Sequence, residues 1–168
     1  MRIRLDENLS PRVATAVQAI AGNRSGFDVS HNRDGYAGVA DPLWLKSFAS
    51  ADGDVVVSGD ANILQNWPDL IAYHESGLVA FFPSPAFQRF KGYARAAFIL
   101  RWWPAIIEKA KESEAGDCWR LPMQWTPDLR SFQRLKDPRL ANNETLIEAS
   151  ERGSRTKHPF SRASRCDT

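Results

Sequence analysis

Val55-Val56-Val57 lies between Gly53 and Gly59. A compact β-branched run closed by glycines on both sides fits a short strand buried on both faces. Such strands belong to parallel sheets covered by helices, and the flanking sequence supplies the helices. Residues 2–5 (RIRL) read as an earlier strand ending at Asp6. Ser10-Pro11 then opens a helix, serine as cap and proline at the first helical position, with Val13, Ala16, Val17 and Ile20 at helical spacing before Gly22. Phe27 to Ser30 reads as a weaker strand, followed by the loop HNRDGYAGVA. Asp41-Pro42 opens a second helix by the same cap-plus-proline logic, with Leu45, Phe48 and Ala49 as its apolar stripe. A third helix runs from Pro68 through Tyr73 to Gly77, and Leu78 to Phe82 is a fourth strand stopped by Pro83 and Pro85. Alternation of this kind predicts an α/β fold with a mostly parallel sheet.

The second half reads differently. Residues 87–115 predict helix, with Phe90, Tyr93, Ala94, Ala97 and Phe98 as the buried face and Pro104 as a kink or restart. Residues 116–140 show no period and predict an irregular extension packed on the domain by Trp119 and Trp125. Residues 141–168 read as a polar, basic, disordered tail. The expected division is therefore a domain over 1–115, the extension over 116–140, and the tail. With 43% apolar and 25% charged residues the chain has the material for a core of its own. Its two cysteines exclude a disulfide framework and a four-cysteine zinc site. No apolar run approaches a membrane span, and the N-terminus lacks the apolar segment of a secretion signal, so a cytoplasmic protein is expected.

Net charge is +2, but residues 1–85 carry −4 and residues 86–168 carry +6. An acidic half joined to a basic half suits a metal-dependent acidic centre beside a phosphate-attracting surface; uneven surface charge alone also accounts for it. In parallel sheets ligands gather outside the carboxyl ends of the strands. Asp6 and Asp60 follow two of the strands, and Asp41 begins a helix after the flexible loop. Glu7, Asn8 and Asn62 lie beside them in sequence. Oxygen-rich groups of this composition suit Mg²⁺ or Mn²⁺. Each also has an ordinary reading: Asp41 as a helix cap, Asp60 as a turn or cap residue, Asn62 as a polar loop residue. Asp6 is the hardest to dismiss, because a charge directly after an apolar strand needs a reason. No phosphate loop of the GxxxxGK type and no GxSxG elbow is present, and the three histidines are far apart.

The opening LDENLSPRVATAV and the stretch GYAGVADPLWLKSFASADGDVVVSGDANIL together resemble the PIN-like domain family, in particular relatives of the VapC-type toxins. The resemblance covers roughly residues 1–82. It implies a three-layer α/β/α fold around a central, mostly parallel sheet, an acidic pocket for Mg²⁺ or Mn²⁺, and ribonuclease activity on single-stranded RNA in catalytic members. By position, Asp6, Asp41 and Asp60 match the acidic metal ligands. Asn62 stands where a further acid is usual and offers a weaker, uncharged contact, while Ser58 takes the small hydroxyl position. Glu7 and Asn8 are supporting residues.

The leading expectation is thus a metal-dependent endoribonuclease, the toxin of a toxin–antitoxin pair with an antitoxin partner, no membrane association, and a possible homo-oligomer. The alternative is a catalytically degenerate PIN-like binding module that acts through RNA or protein association. A receiver-like domain or a small-molecule phosphohydrolase is a third reading, lowered by the lack of a lysine after the fourth strand. Arg89, Lys91, Arg95 and Arg101 fall on the expected helix of the second half as candidate RNA contacts. Trp102, Trp103 and Tyr93 are expected in the core rather than as base-stacking platforms.

Overall fold

The computed structural model describes residues 1–21, 26–60 and 66–135. Six strands form one sheet: β1 (Arg2–Leu5), β2 (Asp28–His31), β3 (Val55–Val57), β4 (Val79–Pro83), β5 (Cys118–Leu121) and β6 (Gln133–Arg134). Their order is β2-β1-β3-β4-β5-β6, parallel throughout except for the last pair. Four α-helices accompany them: α1 (Pro11–Ala21), α2 (Asp41–Ser50), α3 (Trp67–Ser76) and α4 (Tyr93–Lys111). The expected mostly parallel α/β sheet is present. No helix among the described residues is long and apolar enough to cross a membrane.

Alternation along the strands divides the core in two. Ile3, Leu5, Val55, Val57 and Phe81 face one cluster with α1 and α4, whereas Val56, Ala80 and Phe82 face the other with α2 and α3. Every residue of β3 and β4 is buried, which is why the valine run carries no polar alternation. On α1 the buried residues are Val13, Ala14 and Val17; Ile20, expected inside, is 77% exposed.

The second half departs from expectation in three ways. First, α4 begins at Tyr93, not near residue 87, because Pro85–Arg89 forms a separate 3₁₀ turn. Counting the period from that later start moves the buried stripe to Phe98, Ile99, Trp102, Trp103, Ile106, Ile107 and Ala110. Tyr93, Ala94 and Ala97 lie outside it, and Phe90 is half-buried. Second, of the two outcomes expected at Pro104 the restart does not occur: the residue lies inside an unbroken α4. Proline deprives the Leu100 carbonyl of its helical partner, but buried Trp102, Trp103, Ile106 and Ile107 on both sides of it hold the helix on the sheet. Third, residues 116–135 are not an irregular extension. They contribute β5, paired with β4, and β6 at the edge. Phe132 anchors this segment edge-on against Phe81 (centroids 5.9 Å) and Trp102 (5.3 Å). Trp119 is half-buried, and Trp125 remains 38% exposed, its indole N–H donating to the Arg101 carbonyl (3.1 Å). The expectation for residues 141–168 lies outside the described residues.

Candidate functional site

β1 and β3 run side by side, so their carboxyl ends emerge together; the Asp6 N–H donates to the Val57 carbonyl (3.1 Å). Asp6 is 3% exposed. Its Oδ2 accepts from the Ser58 hydroxyl (2.5 Å) and from Asn8 Nδ2 (3.0 Å). Ser58 Oγ in turn accepts from the Asp60 N–H (3.1 Å), so one hydroxyl ties the Asp6 carboxylate to the backbone that carries Asp60, itself half-buried. Glu7 is exposed, and its Oε1 accepts from the Gly38 N–H (3.0 Å), pinning the glycine-containing loop beside the site. His31 braces the same region from beneath. Its Nδ1 accepts from the Arg33 N–H (3.0 Å), which leaves the proton on Nε2 to donate to the Leu9 carbonyl (2.9 Å).

The loops after β1 and β3 touch at Gly59. A Cβ there would stand 2.9 Å from the Asn8 carbonyl oxygen and 3.1 Å from Leu9 Cδ2. The Gly59 carbonyl also accepts from Gln88 Nε2 (2.8 Å), which links the loop to the 3₁₀ turn after β4. Gly59→Ala therefore pushes two backbone segments apart, and urea denaturation is expected to show a loss of about 1–3 kcal/mol. Unchanged stability would contradict the close approach.

α2 and α3 bring further carboxylates over this edge. Asp41 is the first residue of α2, not its cap; Ala40 occupies the cap position without a side-chain bond. The carboxylate instead accepts from Trp44 Nε1 (2.7 Å). Burial raises the Asp41 pKa, the Trp44 bond opposes this, and the charges of Asp6, Asp69 and Glu7 add to the rise. Asp69, in the first turn of α3, is a residue sequence reasoning missed. It is 9% exposed and accepts from Asn66 Nδ2 (2.7 Å). One turn later on the same helix face is Tyr73, 1% exposed, whose hydroxyl has no hydrogen-bond partner among the described residues. Its pKa stands well above the usual value, through burial first and then through the charges of Asp6, Asp41 and others including Asp69. No lysine or arginine forms an ion pair with Asp6, Asp41 or Asp69 among the described residues. Arg4, two residues before Asp6, is stacked between Tyr36 and Phe48 (4.6 and 4.7 Å to the ring centroids).

Residues 1–84, which hold all of these carboxylates, match the family model described as PIN like domain. The chain belongs to the PIN-like domain family. Its fold is therefore of a nuclease type, and nucleases of this class typically use divalent metals. No curated protein and no solved structure matches the chain significantly.

Does this PIN-like domain suit a metal? Among the described residues no three Asp, Glu, His or Cys side chains converge as a ready ligand set. The donor chemistry does suit a hard cation. Asp6, Asp41 and Asp69 each commit one oxygen to a neutral donor and lack a cationic partner among the described residues, and the charges of Asp6 and Asp69 oppose that of Asp41. Mg²⁺ is commonly held through one or two carboxylates, with water and substrate phosphate completing its shell. Asn62 lies outside the described residues.

Asp41 carries a pH signature. Its raised folded pKa means that ionising it costs more in the folded state than in the unfolded one. That contribution to stability is present below the ordinary value of 3.8 and is lost as pH rises through the raised value. Asp41→Asn, which keeps an acceptor for Trp44, is thus expected to melt above wild type at neutral pH in EDTA. The difference should vanish below about pH 3.8. A lower melting temperature at neutral pH would contradict the cause assigned to the shift.

The basic residues of this PIN-like domain do not share one helical face. Arg89 is exposed on the 3₁₀ turn, and Lys91 is exposed between that turn and α4. Arg95 and Arg101 are on α4; Arg95 stacks on Phe87 (4.7 Å) and Arg101 on Trp125 (4.9 Å). Trp102 and Trp103 are core residues as expected, at 0% and 6% exposure, whereas Tyr93 is 96% exposed. The Cys118 thiol is pushed up to about 12 by burial and then by Asp117, which removes it as a nucleophile at neutral pH.

Proposed function

We propose that this PIN-like domain is a metal-dependent endoribonuclease that cleaves single-stranded RNA and is the toxin of a toxin–antitoxin pair. The observation that carries the reading is that Asp41 feels the charges of Asp6, at the carboxyl end of β1, and of Asp69, and that none of the three has a cationic partner among the described residues. Asp6 and Asp41 would hold Mg²⁺ or Mn²⁺, with Asp60 and Asp69 as flanking carboxylates. Bound there, the cation supplies an activated water and neutralises charge on the phosphodiester. The chain's own residues prepare that chemistry. Ser58 and Asn8 hold Asp6 through one oxygen, and Trp44 holds Asp41 through one, so each carboxylate keeps an oxygen that these bonds do not use. Burial of Asp6 and Tyr73 keeps bulk water from screening the carboxylates. For the antitoxin, an apolar foothold is available near Asp41: Leu43, 66% exposed, lines a groove of about 600 Å³ between α2 and α3.

The test is cleavage of end-labelled single-stranded RNA by the purified full-length chain with Mn²⁺ or Mg²⁺, beside an EDTA control. Cleavage that needs the cation supports the reading; intact RNA across a broad panel, from folded protein, overturns it. A second reading, the catalytically silent binding module, draws on the lack of three converging ligands among the described residues. Calorimetry separates the two: Mn²⁺ binding that disappears in Asp6→Ala favours the nuclease, and no binding favours the module.

A further inference from the structure

Asn8 has two neighbourhoods. Its side chain donates to Asp6, and it also lines a cavity of about 210 Å³ with Leu9, Ser10, Gly92 and Arg95. That volume admits a single phosphate group rather than a large ligand. Arg95 is held ready at the wall. Its side chain stacks on Phe87, and its Nη2 donates to Gln88 Oε1 (3.0 Å), while the Gln88 amide also grips the Gly59 carbonyl. No carboxylate pairs with Arg95 among the described residues. The guanidinium is thus oriented by neutral contacts and keeps its charge for an anion. Gly92, with φ +47 and open space where a Cβ would stand, leaves the cavity wall without a side chain. Immediately after it comes Tyr93, an aromatic ring 96% exposed that contributes nothing to the core.

We propose that this cavity is a nucleotide subsite for single-stranded RNA: Arg95 takes a backbone phosphate next to the one at the acidic centre, and Tyr93 stacks on a base. The assignment rests on the nuclease reading for its substrate. The cavity wall is tied to the acidic centre: Asn8 donates to Asp6, and Gln88, which accepts from Arg95, donates to the Gly59 carbonyl just before Asp60. Stacking on an exposed ring is tolerant of sequence, as suits a position beside the cut rather than at it.

Fluorescence anisotropy with a short labelled single-stranded RNA, in EDTA and over a KCl series, tests this on the full-length chain. Arg95→Gln is expected to weaken binding and to lower the salt slope by about 0.7, the signature of one lost phosphate contact on a single strand. Arg95→Lys retains the slope. Tyr93→Ala is expected to weaken binding about tenfold with the slope unchanged, while Tyr93→Phe binds as wild type. Tyr93 is outside the core, so its variants fold and decide the matter even if Arg95→Gln does not. Wild-type affinity in Tyr93→Ala, or an unchanged slope in folded Arg95→Gln, overturns the subsite. The two readings fail separately. Metal-dependent cleavage with unaltered KM in both variants removes the subsite and leaves the nuclease. The expected binding pattern without cleavage by wild type removes the nuclease and leaves the subsite.

Discussion

Asp6→Asn is expected to abolish the proposed RNA cleavage, by at least about a hundredfold, in a protein that still folds. Loss of groups that merely orient a metal ligand typically costs 10–100-fold, so loss of the ligand's own charge costs no less. The substitution is close in shape. The asparagine carbonyl still accepts from Ser58, and removing one charge relieves repulsion with Asp41. The melting temperature is therefore expected to stay near wild type or to rise. Single-turnover cleavage with saturating Mn²⁺, read beside a thermal melt, checks both halves. Cleavage at the wild-type rate would remove Asp6 from the chemistry.

The largest effect on stability belongs to Trp102→Ala. The ring is 0% exposed and meets Phe132 edge-on and Phe98 at 6.4 Å, so it joins α4 to the segment that leads into β6. Truncating a buried aromatic costs about 3–5 kcal/mol, a large share of the roughly 5–15 kcal/mol that holds a domain folded. Trp102→Phe should cost much less. It keeps most of the ring and removes an indole N–H that has no hydrogen-bond partner among the described residues. Urea midpoints for the two variants give the comparison. A loss under about 1 kcal/mol for the alanine variant would mean that the site collapses around the gap far better than such cores do.

The legible parts of the sequence were those with strong local signals. Val55–Val57 between glycines and the Pro-led helices α1, α2 and α3 stand where their patterns put them. Asp6 stands out in the sequence because a buried-strand pattern ending in a charge is self-conflicting unless partners hold that charge, and Ser58 and Asn8 hold it. β5 was not legible. Its Trp119 and Arg120 are both half-buried, giving no clean alternation, and it is a strand because β4 offers it a partner distant in sequence. Tyr93 departs from its expected place in the core because a helical period that starts at residue 87 is six residues too early; the 3₁₀ turn and Gly92 reset it. Asp69 escaped notice because an acid in the first turn of a helix has a sufficient local explanation in the helix dipole. Its burial over the Asp6 edge depends on how α3 lies across the sheet, which no short-range pattern encodes.

β4 sits between β3 and β5, and all five of its residues are buried. The stretch shared with the family closes with this strand, at residue 84, while the partner for its outer edge arrives only at Cys118. Cut there, the chain would present Val79-Ala80-Phe81-Phe82 as a bare, apolar edge, the kind of surface that templates aggregation. In the full chain the recognisable half is thus a sheet left open at β4, and the less recognisable half closes that edge with β5 and β6.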